Sequence, residues 1–298
     1  MKRTERIVKD TVAGYLFLLP ALIVFAIFIA QPLVASVLLS FTKYNIISPA
    51  EFVGMDNFVA FFTDKRFGLI MWNTVKFVLI LVPLHLVAGL IIALAVTKIK
   101  SIRWQYVYRT AFYFPVLVTT AAVAVAWVYM FDNNFGILNY FLNRLGFDAV
   151  PWLNDPGWVY VSVAVFSLWK FVGNPFLYYL IGLQNIPRTL YEAAEIDGAN
   201  RVQSFFRITL PMLTPTVFFV LVITLIGAIQ IFDEPYLITG GGPGDASRTV
   251  SLYIYEVAFQ YKMMGYASTV SLALFVIILA ITLVQFKLGN RWVYYDQE

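Results

Sequence analysis

No cysteine occurs in the 298 residues, and histidine occurs once, at His85. The first absence removes disulfides, thiolate metal sites and thiol nucleophiles. The second leaves no basis for a histidine-built metal centre within the chain. Neither HExxH nor GxSxG is present, so hydrolytic chemistry has no obvious residues to carry it. Charge is scarce too: 13% of residues are charged, against roughly 25% in a soluble domain, which excludes a water-soluble globule.

What fills the chain instead is apolar, with 60% hydrophobic and 17% aromatic residues. A spanning helix needs about 20 apolar residues, and six segments qualify: 13–39, 72–97, 106–131, 158–183, 212–234 and 267–286. The expectation is an all-α integral membrane protein with six transmembrane helices, forming a single domain over 1–298. The opening "MKRTERIVKD" runs into some 27 apolar residues without a small-residue cleavage site, which predicts a retained first helix rather than a signal peptide. Gln31 and Pro32 soften that helix.

Basic residues set the orientation. The N-terminal tail, the 97–110 and 184–211 loops and the C-terminal tail carry four, four, three and two Lys/Arg, whereas the alternate loops together carry seven. The excess predicts that both termini are cytoplasmic. The net charge of +4 and the pI near 9.1 follow from these loops and are not a nucleic-acid signal.

Between the spans, the aromatic-rich stretch around Gly54, Asp56 and Asn57 and the segment 132–158 each suggest a short interfacial helix. Gly89, Ala93 and Ala95, and the run "AAVAVA" at 121–126, read as close-packing helix faces. "ITGGGPGDASRTVSLYIYEVAF", residues 238–259, cannot be helical at its glycines. It matches neither a Walker A loop nor GxGxxG.

One polar stretch interrupts this pattern: "YEAAEIDGANRVQSFFRITLP", residues 191–211. Pro187 suits a helix start, and Glu192, Ala193, Ala194 and Glu195 are good helix formers. Asp197 and Gly198 stop the helix, and Asn200 with Gln203 forms a capping box for a second one. The result is two short helices joined by a tight turn, with Pro211 and Pro215 opening the fifth span. Ala193, Ala194 and Ala199 would let a partner seat closely, unless the stretch is only a solvated loop.

The spacing resembles a family. Glu192-Ala193-Ala194, three residues, Gly198, nine residues, then Ile208, Leu210 and Pro211 is similar to the "EAA" signature of binding-protein-dependent ABC importer permeases. "SLWKFVGN", "GLQNIP", "FFRITLPMLTP", "TGGGP" and "MGYAS" extend the likeness over roughly 10–290, to the carbohydrate-uptake branch that includes the larger maltose-transporter permease. Unlike that subunit, this chain lacks two extra N-terminal helices and a large periplasmic insertion. The resemblance implies a type I ABC importer permease fold in a prokaryotic plasma (inner) membrane, paired with a second related permease. It also implies two cytoplasmic ATPase subunits that bind ATP and magnesium, and a solute-binding protein outside. No cofactor would sit in this chain, and nucleic acid is no partner. Glu192, Ala193, Ala194, Asp197, Gly198 and Ala199 would form the coupling contact with the ATPase.

Polar groups inside a membrane are functional suspects. Lys170 sits mid-span beside Trp169 and one turn before Asn174, a set suited to the apolar faces and hydroxyls of a sugar. It could equally form an internal ion pair or snorkel. The fifth segment offers Thr224, Gly227, Ala228, Gln230, Ile231 and Asp233. Gln230 and Asp233 could instead make helix–helix hydrogen bonds. The resemblance places solute-lining positions at Trp169, Lys170, Phe171, Asn174, Thr224, Gly227, Ala228 and Ile231. His85, beside Pro83, reads as a packed, hydrogen-bonded core residue. The expected solute is an oligosaccharide; Lys170 would also suit a phosphorylated polyol such as glycerol 3-phosphate. An ATP-independent secondary transporter is the competing class, but no repeated broken-helix pair or chain of buried acids supports it.

Overall fold

A computed structural model describes residues 2–294, most of them helical. Helix α1 (Lys2–Phe25) passes through a π-helical turn at Ala26–Ala30 into α2 (Gln31–Leu39). A short antiparallel pair, β1 (Thr42–Lys43) and β2 (Glu51–Phe52), precedes α3 (Asp56–Thr63) and the long α4 (Lys65–Thr97). Next come α5 (Ile102–Leu117), α6 (Thr120–Met130), α7 (Ile137–Arg144), α8 (Trp158–Phe171) and α9 (Gly173–Gln184). Then follow α10 (Arg188–Ile196), α11 (Arg201–Ser204), α12 (Leu210–Ile229), α13 (Val250–Tyr255) and α14 (Met264–Gly289).

Among the described residues, four helical segments are long and apolar enough to cross a membrane alone: Ala13–Leu39, Lys65–Thr97, Arg201–Ile229 and Met264–Gly289. The other two expected spans are broken, where the sequence shows no broken-helix pair because hydropathy does not report backbone bends. Helices α5 and α6 meet at 95°, and α8 and α9 at 49°; with each bent pair counted as one, the spans number six. At the first break Val118 and Thr119 are extended, with ψ of 141° and 127°. At the second, Pro175 removes an N–H from the first turn of α9 and so frees a carbonyl of α8, a recognised source of kinking.

The described residues cluster as two compact units, one formed by the chain up to Asp64 with Ile254–Phe275, the other by Lys65–Tyr253 with the chain from Val276. In the first unit Asn57 Nδ2 donates to the Ser40 and Thr42 carbonyls, both at 2.9 Å, and the Tyr266 hydroxyl donates to Asp64 at 2.8 Å. These bonds pin the β1–β2 turn, which the sequence did not announce. In the second unit α4, α9 and α12 share a core around Ala93, Phe176, Tyr179, Leu213 and Val220. Gly89 admits α9 so closely that a Cβ there would lie 2.8 Å from Pro175 Cβ. Of the other small residues read as packing faces, Ala93 and Ala124 are buried, while Ala95, Ala121, Ala122 and Ala126 are exposed.

Three expectations need correction. The fifth span does not run to 234: α12 stops at Ile229, and Gln230 caps it outside helical geometry (φ −92°, ψ 11°). The second short helix is not free-standing, since α11 continues through a π-helical turn, Phe205–Thr209, into α12. Pro211 opens α12 in its first turn as expected, whereas Pro215 lies inside the helix. The chain is non-helical at the glycines, as the sequence requires, and past them it forms α13, which extends through another π-helical turn at Glu256–Gln260.

Candidate solute cavity and the EAA knob

A cavity of about 380 Å³ opens in the second unit between α4, the α8–α9 junction and the end of α12. Spacing explains the α8–α9 wall. Ser167, Phe171, Asn174 and Tyr178 follow one another at intervals of four, three and four, one face of a helix. The wall opposite is made where α12 ends: Thr224, Gly227 and Ala228 lie on its last turns, Gln230, Ile231 and Phe232 leave the helix, and Asp233 and Glu234 begin the next helical turn, all lining the cavity. The Ile231 carbonyl, released from helical pairing, accepts from Thr249 Oγ1 at 2.8 Å.

Eight of the ten residues expected at a solute passage meet here: Phe171, Asn174, Thr224, Gly227, Ala228, Gln230, Ile231 and Asp233. Trp169 and Lys170 do not line the cavity. Trp169 packs its ring 5.5 Å from that of Trp127. Lys170 is 1% exposed, and its ammonium donates to the carbonyls of Pro115 (2.6 Å), Val116 (3.1 Å) and Val118 (2.6 Å). Each residue turns a helix by about 100°, so Lys170, one position before Phe171, points elsewhere.

Sequence reasoning missed Glu234, Ser167 and Tyr178. Ser167 Oγ donates to the buried Glu234 carboxylate at 3.1 Å. His85 is buried and hydrogen-bonded as expected, its ring nitrogens 2.9 Å from the Leu81 carbonyl and 3.2 Å from that of Ser167, yet it also lines the cavity. A neutral imidazole carries one N–H, so it donates to one of the two. The Ser167-Phe171-Asn174-Tyr178 spacing was visible in the sequence; nothing there brought Glu234 to Ser167.

The glycine-rich loop is fastened to α4. Asn73 Nδ2 donates to the Asp245 carbonyl at 2.6 Å and the Arg248 carbonyl at 3.3 Å. Arg66 grips the Asp245 carboxylate through two bonds, at 2.8 and 3.1 Å, and Arg248 pairs with it as well. Replacing Asn73 with leucine, close in size but without the amide, leaves those carbonyls unpaired at about 1–3 kcal/mol. The purified Asn73→Leu protein should melt several degrees lower.

The polar stretch forms a knob. Helix α10 closes with two bonds, Gly198 N–H to the Glu195 carbonyl (3.1 Å) and Ala199 N–H to the Ala194 carbonyl (2.9 Å), the Schellman pattern. Gly198 takes the left-handed conformation this requires, φ +77°. Asn200 and Gln203 exchange reciprocal bonds of 2.9 and 2.8 Å, the capping box the sequence predicts. Tyr191 ties the knob to the start of the long helix through Thr209, 2.9 Å away. Glu192, Ala193, Asp197 and Gly198 are exposed, Ala194 and Ala199 partly so. Among them stands an apolar side chain the sequence reading passed over, Ile196, 86% exposed.

Residues 85–293, spanning both cavity and knob, match the family of binding-protein-dependent transport system inner membrane components. The chain belongs to this family: it is an ABC importer permease. It is 40% identical to the probable ABC transporter permease protein YesP of Bacillus subtilis (strain 168), over all of this chain and 97% of that one. It is 34% identical to the trehalose/maltose transport system permease protein MalF of Thermococcus litoralis (strain ATCC 51850 / DSM 5473 / JCM 8560 / NS-C), over 95% of each. The crystal structure of a bacterial ABC transporter that imports the acidic polysaccharide alginate contains a chain with the same fold, at TM-score 0.84 and 27% identity, covering 98% of this permease and 100% of that chain. The permease is thus a transport subunit of the carbohydrate-uptake branch and an inner-membrane component, not an enzyme.

Proposed function

We propose that the permease carries an uncharged oligosaccharide through this cavity, by alternating access driven by two partner ATPase subunits. A second related permease supplies the other half of the passage, and a solute-binding protein delivers the sugar from outside. Both termini and the knob then lie in the cytoplasm, as the distribution of basic residues indicates. The relatives carry both neutral and acidic solutes, trehalose or maltose in one and an acidic polysaccharide in another, so the charge must be read from the lining.

One observation carries the choice. The lining holds Asp233 and Glu234 and, among the described residues, no lysine or arginine. The cation that made a phosphorylated polyol attractive, Lys170, spends its ammonium on three carbonyls. A phosphate would meet two acidic side chains in a partly desolvated space whose lining offers no lysine or arginine to pair with it. A neutral sugar finds Phe171, Tyr178 and Phe232 for its C–H faces, and Thr224, Asn174, Gln230 and the carboxylates for its hydroxyls.

Uptake of labelled disaccharides, oligosaccharides, monosaccharides, glycerol 3-phosphate and an amino acid, in the host with and without this chain, tests the reading. Loss of one neutral sugar alone is expected. Loss of glycerol 3-phosphate alone overturns the charge argument, and ATP-independent uptake of any solute overturns the importer mechanism.

A further inference from the structure

The two broken spans meet at their breaks. Helix α5 ends at Leu117, where the last carbonyls of a helix lack their usual i+4 partners; that of Pro115 takes only the Val118 N–H, at 3.3 Å. Those of Pro115, Val116 and Val118 converge on one point, which the Lys170 ammonium occupies at 2.6, 3.1 and 2.6 Å. Lys170 lies two residues before Val172, where α8 bends into α9. A second contact joins the same places: a Cβ on Gly173 would stand 2.6 Å from the Phe112 carbonyl oxygen and 3.0 Å from Tyr113 Cα. The backbone of one bend therefore lies directly on the last turns before the other.

This junction reaches the cavity without a side chain of its own in it. The ammonium sits 5.2 Å from the centroid of the Phe171 ring, within cation–π range, and Phe171 and Asn174, which flank Lys170 and Gly173 in sequence, both line the cavity. A buried ammonium is costly unless its hydrogens are taken up; three carbonyls satisfy all three of them. The arrangement is a cation cradle filled by the chain's own cation.

We propose that Lys170 is a positioning residue, the pin of a double hinge that makes the α5–α6 and α8–α9 bends move as one body and so keeps Phe171 and Asn174 in register with the rest of the passage. It never touches the solute. Without the charge, the carbonyls of the first break lose the cation they share, that of Pro115 keeping only the Val118 N–H; the two bends move independently, and ATP hydrolysis no longer drives the cavity wall as a unit. The inference rests on the importer reading for its transport consequence, while its structural half stands apart from it.

Two variants separate this from plain packing. Lys170→Met keeps the length and removes the charge; Lys170→Arg keeps a charge with donors enough for the same carbonyls. In the complete transporter reconstituted in liposomes, Lys170→Met is expected to hydrolyse ATP while moving at least tenfold less solute per ATP, with Lys170→Arg retaining more transport than Lys170→Met. Packing alone predicts the reverse order, and a rise in solute KM with unchanged solute per ATP would mean solute contact; either outcome overturns the pin. The chain has no cysteine, so spin labels at Val125→Cys on α6 and Ile181→Cys on α9, both exposed, report the hinge directly. One narrow distance distribution is expected in the parent and in Lys170→Arg, and a broad one in Lys170→Met. If Lys170→Met does not assemble, the label pair in Lys170→Arg decides, a distribution as broad as in a Lys170→Gln control overturning the proposal. Absence of ATP-driven uptake in the parent complex would refute the importer reading instead, and the distances would still judge the pin.

Discussion

Gly198→Val should abolish ATP-driven uptake in a transporter that still assembles in the membrane. At φ +77° an L-residue pays roughly 1–2 kcal/mol, and a β-branched one more, because its Cβ substituents crowd the flanking carbonyls. The chain can relieve this only by abandoning the two closing bonds from Gly198 and Ala199 to Glu195 and Ala194. That loosens the last turn of α10 and swings the exposed Ile196 away from its seat. The membrane core is untouched, since nothing in the chain lies within 4 Å of a Cβ at this position. The damage is confined to the surface proposed to meet the ATPase. Asparagine tolerates the left-handed region and separates two causes. Uptake kept in Gly198→Asn and lost in Gly198→Val locates the requirement in the turn, whereas loss in both means that the partner packs on the bare Cα. Parental uptake in Gly198→Val, measured against ATPase activity in the same vesicles, would remove the knob from the coupling path.

The knob was legible because its determinants are local: a glycine stop, a capping box and a helix start act within a few residues, and each appears where the sequence puts it. The first span was legible for a different reason, since hydropathy alone delimits 13–39. Hydropathy reports burial in lipid and not backbone geometry, and the failures share that cause. The apolar run continues through Ile231 and Phe232, so the end of α12 at Ile229 is invisible, although the irregular segment beyond it builds part of one wall of the cavity. The 95° break after Leu117 is stabilised by a lysine more than 50 positions away, a contact no window along the chain can detect. Residue type leaves Lys170 open between the solute passage and an internal pairing, because a rotation of about 100° decides whether a charge serves the solute or the scaffold.

Gly227→Trp should reduce uptake to background while leaving the fold and nucleotide hydrolysis in place. Gly227 lies in the last turn of α12 on the cavity wall, and a Cβ there meets nothing within 4 Å. The indole can therefore grow only into open space, where it takes up much of the 380 Å³. Replacing glycine within a helix does not weaken it; the propensity change favours the helix by a few tenths of a kcal/mol. Blockage is thus separated from misfolding, which a substitution at the buried Gly173 would not achieve. Gly227→Ala refines the test, because one added methyl in a fitted pocket discriminates between substrates by about 10–200-fold. Uptake of the largest oligosaccharide in the panel should fall first, and that of the smallest sugar should change least. An equal fall for all sugars would mean that the methyl disturbs the helix rather than the passage, and parental uptake in Gly227→Trp would show that the solute travels by another route.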